Sequence, residues 1–389
     1  MKCVVLSLIV ILSIPCASAA PIRLGEGASV SVLTCGPGDE LYFAFGHTAF
    51  RIKDPDRNID VVFNYGTFDF DASNFYLRFA LGNSIYKLSA YDFVHFPTSY
   101  VREGRWVKEQ VLNLTLEEKN KIFEFLMHNA LPENADYRYD YFTDNCATKI
   151  IEVLKSTLGD DLRFSNQRID RVFTYRQLIR QYVPDNSWSS LAIVIPLGSP
   201  LDKTLTAEEC MFLPEMVFEG LSRATITRDP TSSPLVQETL ILFEGDAEKK
   251  DQSLTISPIV TWVILGCVLF LFSRVKNKNG SALKLFDALI FFMTGVVGIV
   301  LLFLWLFTDH DAAANNLNIL WAFPGNVIVS ITFLRLSKPR WHRVYFIVLL
   351  SLLILLVVAW ITNVQNFSWA LLPLFILLGV RYYMLSRQR

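Results

Sequence analysis

Residues 140–151 read DYFTDNCATKII, placing a single cysteine between a turn-like Thr-Asp-Asn and a helix-like run. Asp144 or Asn145 can cap the helix that follows. Ala147, Ile150, Ile151, Leu154 and Leu158 then recur at helical spacing, and Gly159 is a natural terminator. Cys146 therefore occupies the first helical turn. Unpaired backbone N–H groups and the positive end of the helix dipole favour an anion there. A helix start can bring a thiol pKa well below its ordinary ~8.5. Three readings of Cys146 remain open at this point: half of a disulfide, a buried apolar filler, or a nucleophile.

The other cysteines bear on that choice. The chain has six, at positions 3, 16, 35, 146, 210 and 267. Cys3 and Cys16 fall in an N-terminal leader and Cys267 in an apolar run. Cys35, Cys146 and Cys210 are left, an odd number, so at most one pair can form among them. If one forms, Cys35–Cys210 is the expected pair, leaving Cys146 free.

A nucleophilic thiol needs a base. The histidines before the apolar region are His47, His95 and His128. His128 sits in TLEEKNKIFEFLMHNAL (115–131), a helix opened by a Thr115/Glu118 capping box, and His95 has no neighbouring pattern. His47 lies in LYFAFGHTAFRI (41–52), a strand or hairpin arm followed by the turn KDPDRN (53–58) and the strand IDVVFNYGTFDF (59–70). Alternation puts His47, Ala49 and Arg51 on one face and Thr48, Phe50 and Ile52 on the other. A histidine on a strand followed by a cysteine at a helix start is the layout a thiolate–imidazole pair needs. Asn64 is the expected third member, with Asp69, Glu40 and Asp144 as rivals. Backbone N–H groups at the helix start are oxyanion donors, and Asn145, Asp144 and Arg51 are further substrate or oxyanion candidates.

The chain is 389 residues long, 52% hydrophobic, with formal net charge −1. Such an average is too apolar for one soluble domain and too polar for a pure membrane bundle, so a two-part protein is expected. The absence of a basic stripe argues against a nucleic-acid partner. Residues 1–20, MKCVVLSLIVILSIPCASAA, have a Lys2 n-region, an apolar run and an Ala-Ser-Ala end, the pattern of a secretory signal peptide. Ile14-Pro15 before Cys16 makes a poor lipobox. A thiol domain is expected over 21–245, a polar stem over 246–257, and membrane spans at 258–273, 285–307, 317–334, 344–362 and 367–385. Lys and Arg crowd the loops after the first and third spans and the C-terminal tail, whereas TDHDAAANN and TNVQN carry neither. The positive-inside rule then places the first half outside the cytoplasm and the C-terminus inside it.

Four blocks carry a resemblance: LTCGPGDELYFAFGHTAFRIKDP (33–55), VFNYGTFDFDASNFYLRFALG (62–82), REGR (102–105) and YRYDYFTDNCATKI (137–150). They resemble the Lnb-type bacterial lipoprotein N-acyltransferases. The resemblance implies an α+β, circularly permuted papain-like (NlpC/P60-type) domain followed by an all-α five-helix transmembrane bundle. It implies Cys146 as nucleophile and His47 as base, with neither metal nor cofactor. The implied substrates are a phospholipid acyl donor and diacylated lipoproteins, met in the periplasmic leaflet of the inner membrane. In FTDHDAAANNLNILWAFPGN (307–326), His310, Asn315, Asn318 and Trp321 are expected at the outer end of the third span, with His310 and Asn318 as site candidates. AFPGN departs from the Pro-Leu of the family there. A membrane-anchored NlpC/P60-like cysteine hydrolase acting on the cell wall is the alternative, and a non-catalytic scaffold with a merely buried Cys146 is a third reading.

Overall fold

The structure is a computed structural model that describes residues 22–40, 43–68, 74–165, 172–228, 230–246, 256–274, 281–334 and 339–387. The expected signal peptide, Asp69 and most of the stem lie outside the described residues.

The N-terminal half is α+β. Its strands are β1 (Ser29–Cys35), β2 (His47–Asp54), β3 (Ile59–Thr67), β4 (Ile85–Asp92), β5 (Val107–Leu112), β6 (Asp136–Arg138), β7 (Leu162–Arg163), β8 (Thr225–Arg228), β9 (Thr231–Pro234) and β10 (Val236–Phe243). Its helices are α1 (Phe75–Ala80), α2 (Pro97–Arg102), α3 (Leu116–Asn129), α4 (Cys146–Leu158), α5 (Tyr175–Arg180), α6 (Trp188–Val194) and α7 (Pro214–Arg223). Seven strands form one antiparallel sheet in the order β10-β5-β1-β2-β3-β4-β6; β7, β8 and β9 form a small second sheet. The alternation expected along β2 holds. Phe50 and Ile52 join Phe63 on the face covered by α3, α4 and α7, where Ile122, Ile150, Leu154 and Val217 complete the core. Ala49 joins Val62 on the opposite face, under Phe96 at the start of α2. Strand β2 is thus buried on both sides and fixes the register of everything above it.

Local signals produce the helices as expected. Thr115 and Glu118 cap α3 reciprocally, at 3.3 and 2.7 Å. Helix α4 starts at Cys146, buries the Ala147–Leu158 stripe and stops at Gly159, whose φ is +59°.

The expected Cys35–Cys210 pair is not formed. Both thiols are free and buried in separate clusters, Cys35 beside Ala49 and Val62, Cys210 among Phe142, Tyr175 and Phe212. The sheet and the α5–α7 segment each bury their own cysteine, and burial pushes the Cys210 thiol up to about 11.

The C-terminal region is helical: α8 (Pro258–Arg274), α9 (Ser281–Phe307), α10 (Asn326–Thr332), α11 (His342–Ile361) and α12 (Leu372–Ser386). Among the described residues, three stretches are long and apolar enough to cross a membrane: Ala282–Phe307, His342–Ile361 and Trp369–Ser386. Pro258–Phe272 is a shorter apolar helix.

The expected continuous span over 317–334 is corrected. Residues Leu317–Leu320 form a short 3-10 turn, Pro324 interrupts the chain, and the 7-residue α10 follows. Seven residues rise only about 10 Å, against the ~30 Å of a hydrocarbon core. Irregular backbone at such a place is tolerated where protein buries it. Here Asn316 and Asn318 both donate to the Ile195 carbonyl, at 2.8 and 3.0 Å, and Trp321 Nε1 donates to Asn318 Oδ1 at 2.9 Å. Polar side chains that hydropathy averages as part of a span are used as joints.

This broken segment packs on α9 through Gly298. A Cβ there would fall 1.8 Å from the Ala322 carbonyl oxygen. Asp287 and Arg381, both buried, pair across α9 and α12. Gly298→Leu is expected to force α9 off residues 322–327, costing about 2 kcal/mol or more. Thermal unfolding in detergent checks this, as a lowered midpoint beside an unlowered one for Gly266→Ala, a helix position where a Cβ meets nothing nearer than 3.8 Å.

Candidate active site

The start of α4 is held by one buried amide. Asn145 Oδ1 accepts from the N–H groups of Ala147 (2.7 Å) and Thr148 (3.0 Å), while Thr148 Oγ1 accepts from the Asn145 N–H (2.8 Å). Asn145 Nδ2 donates to the carbonyls of Tyr141 (2.6 Å) and Phe212 (2.9 Å). Every hydrogen-bonding site of the side chain is therefore used inside the protein. The cap consumes the amides of residues 147 and 148 and leaves the Cys146 N–H, at the first helical position, with no partner inside the helix.

His47 approaches from the other side of the sheet. It opens β2 on the Ala49 face, and Asn64 lies diagonally across on β3. The register pairs Phe50 with Phe63, which continues to His47 opposite Gly66. Gly66 has φ +88°, and a Cβ there would meet Cys146 Cβ at 3.6 Å and His47 Cε1 at 3.8 Å. The missing side chain opens the window through which a cysteine from one face of the sheet meets a histidine from the other.

His47 Nε2 donates to Asn64 Oδ1 at 2.6 Å, and Asn64 Nδ2 donates to the Tyr91 hydroxyl at 2.8 Å. Nδ1 is left for Cys146, with which the ring shares a hydrogen bond. Tyr100 stacks on the imidazole, with centroids 6.3 Å apart and planes at 13°. Burial pushes the Cys146 thiol up, yet the charge and hydrogen bond of His47 and the Thr48 backbone N–H bring it below its ordinary value. Burial likewise pushes His47 down, and the charge of Cys146, the bond to it and the bond to Asn64 raise it above the ordinary value in spite of Arg105 nearby. Both shifts favour the charged forms of the two groups, a thiolate beside an imidazolium. Such a pair can attack an acyl carbonyl, with the free Cys146 N–H near the developing oxyanion.

The pair opens into a cavity of about 320 Å³. Its walls are rich in aromatic residues, Phe43, Phe45, Tyr86, Tyr100, Tyr139, Tyr141 and Phe212 among them, and Arg105 lines it too. Burial holds the Tyr100, Tyr139 and Tyr141 phenols well above their usual range, so they stay neutral. Along the rim, Tyr139 and Tyr141 face the cavity, while Arg138, just before Tyr139, pairs with Asp309 at 3.1 Å. The Asp309 N–H also donates to the Leu81 carbonyl at 2.9 Å. The cavity rim thus abuts the loop that follows α9.

The remaining candidates fall elsewhere. Asp144 pairs with Lys149 at 2.9 Å, and Glu40 is exposed. Arg51 is held by Asp60 (2.8 Å) and Glu109 (2.9 Å) and lies over the Phe93 ring, away from the cavity lining. His310 rests against Gly82 behind the rim, its Nδ1 3.0 Å from the Thr308 hydroxyl, and burial lowers its pKa. Asn318 is the interdomain joint described above; Asn315 adopts φ +50° in the preceding turn. Sequence reasoning missed Arg105, Tyr91, Tyr100 and the Phe212–Pro214 wall. The REGR block was the available signal for Arg105; the others carry no local pattern.

Fold and site together define a membrane-embedded protein with a cysteine–histidine–asparagine centre in its N-terminal domain. Residues 25–181 match the Lnb N-terminal periplasmic domain and residues 249–389 match the Lnb transmembrane domain. The chain belongs to the Lnb family, and is a membrane protein with a periplasmic N-terminal domain. No match was found among curated proteins or solved structures.

The ionisation of the centre has a direct readout. Alkylation of Cys146 by iodoacetamide is expected to stay fast well below pH 8.5, because the depressed thiol pKa keeps thiolate present as pH falls. In His47→Ala burial is no longer offset by the imidazole, so the reactivity should fall away already above about pH 8.5, at higher pH than for an exposed thiol. Peptide-mapped alkylation rates across pH 5–9 check this; superimposable profiles would deny the ion pair.

Proposed function

We propose that this protein is a lipoprotein N-acyltransferase in which Cys146 carries the acyl chain as a thioester. The observation that carries the proposal is the hydrogen-bonded series Cys146–His47–Asn64, which opens into an aromatic cavity whose rim abuts the outer loop of a membrane region.

The steps balance as follows. The Cys146 thiolate attacks the carbonyl carbon of a phospholipid acyl ester, and the oxyanion is met by the Cys146 N–H. The C–O bond breaks, and the departing glycerol oxygen takes the proton from His47 Nδ1, leaving lysophospholipid and a neutral imidazole. The α-amine of a lipoprotein's N-terminal diacylglyceryl-cysteine then attacks the thioester. His47 takes a proton from that nitrogen, the C–S bond breaks, and the amide leaves with the thiolate–imidazolium pair restored. Asn64 holds the ring so that Nδ1 keeps facing sulfur. Closely packed aromatic walls keep water from the thioester.

The membrane region explains why such chemistry is tethered. Each acyl CH₂ withdrawn into water costs ~0.8 kcal/mol, so the thiol must go to the leaflet. We read the five helical segments as five crossings of the inner membrane, with α10 completing its crossing through irregular backbone, and the C-terminus as cytoplasmic. We read the N-terminal domain as a permuted papain-like fold in which the histidine strand precedes the cysteine helix.

Incubating the purified full-length protein with phosphatidylethanolamine vesicles should add one acyl mass to the peptide holding Cys146, and a diacylated lipopeptide should discharge it as an N-acyl product. Cys146→Ala is expected to lower N-acylation at least 10⁴-fold. An adduct discharged only by water, or cleavage of muropeptides, would instead mark a hydrolase.

A further inference from the structure

Arg105 is buried, 4% exposed, and lines the cavity that holds Cys146. Its Nε donates to the Gly36 carbonyl at 2.8 Å and its Nη1 to Glu103 at 3.1 Å. Among the described residues its Nη2 is buried without a hydrogen-bond partner. The guanidinium lies 4.7 Å from the Tyr100 ring centroid and 5.2 Å from that of Phe43. Tyr100 in turn stacks on His47, so one ring separates the guanidinium from the imidazole.

On its protein contacts alone this placement is unfavourable. A buried donor left unmade costs free energy, more when the group is charged. The Glu103 carboxylate that touches Arg105 is itself a third exposed, so it offsets the charge incompletely. The cation also works against the His47 imidazolium on which the thiolate depends. An anion bound in the cavity against the guanidinium relieves both penalties: it screens Arg105 from His47, and a small turn of the side chain brings Nη2 onto it. Guanidinium against phosphate is a strong, geometrically specific pairing.

We propose that Arg105 binds the phosphate of the acyl donor, with Tyr100 as the spacer that sets the scissile ester over Cys146. This rests on the acyltransferase reading above and adds the recognition group to it. In a glycerophospholipid the phosphate and the acyl esters hang from one glycerol, so a single molecule can reach both Arg105 and Cys146, which line the same cavity. Arg105 therefore selects phosphorylated glycerolipids over neutral ones.

The test compares rates of Cys146 acylation, by intact mass, for the full-length protein in detergent micelles containing phosphatidylglycerol or diacylglycerol of identical acyl chains. Wild type should prefer phosphatidylglycerol. Arg105→Gln should lose that preference by on the order of tenfold, mainly in KM, and Arg105→Lys should keep part of it through its point charge. Competition by inorganic phosphate in wild type, absent from Arg105→Gln, would support a site shared with the free ion. Loss of preference without such competition would assign it to the tethered headgroup. Equal losses on both donors, or an unchanged preference, overturn the inference and leave Arg105 a support for the Gly36 loop. If Arg105→Gln does not fold, Arg105→Lys, with its melting midpoint measured, decides. Wild type that takes no acyl group from either lipid overturns the acyl-donor reading itself, a result independent of Arg105.

Discussion

The site depends on the burial of one neutral amide. Asn145 meets two helix N–H groups with its oxygen and two carbonyls from distant segments with its nitrogen. Leaving any of these four groups unpaired in the interior costs about 1–3 kcal/mol each. The bonds therefore lock three pieces together: the turn at Tyr141, the wall at Phe212 and the first turn of α4. Cys146 follows Asn145 in sequence, so its position is fixed before any interaction of its own. Asn145, a substrate or oxyanion candidate by sequence, spends its whole side chain on the fold and leaves the Cys146 N–H beside it uncapped.

A second constraint is the meeting of two faces of a sheet. Side chains on a strand alternate, and α4 packs on the face opposite the one from which His47 projects. Contact between Cys146 and His47 is possible because β2 begins at His47 and because Gly66 leaves a gap opposite it. The charges then sustain one another. Burial alone disfavours both ionised forms, and the attraction between them together with the Asn64 and Thr48 hydrogen bonds reverses the sign.

The two halves of the molecule are joined by polar groups rather than by an apolar seam alone. Arg176, almost wholly buried, binds Asp202 and the carbonyls of Val194, Leu197 and Gly198, and so shapes the loop that docks on the membrane region. Asn316 and Asn318 reach the Ile195 carbonyl from the other side, Asn366 reaches Asp202 at 3.1 Å, and the Gly198 N–H reaches the Ala312 carbonyl at 2.7 Å. Directional bonds of this kind set an orientation that greasy contact leaves free. They set the rim at Arg138–Asp309, and hence the mouth of the cavity, against the loop that follows α9.

By itself the sequence determined what is local. Caps, stops and hydropathic period placed α3, α4, β2 and β3, and the same signals put Cys146 at a helix start and His47 on a strand beside Asn64. Long apolar runs marked the membrane helices, because a spanning helix must satisfy its backbone within itself. Tertiary structure decided everything that depends on partners far apart in the chain. It chose Asn145 over Asp144 as the cap, made Arg51 a salt-bridged support, kept Cys35 and Cys210 apart, and broke the expected span at 317–334, where Asn318 and the adjoining Asn316 take the Ile195 carbonyl. It also brought Arg105, Tyr91, Tyr100 and Phe212 to the thiol. A polar residue's role is set by what reaches it after folding, and no period in the chain encodes that distance.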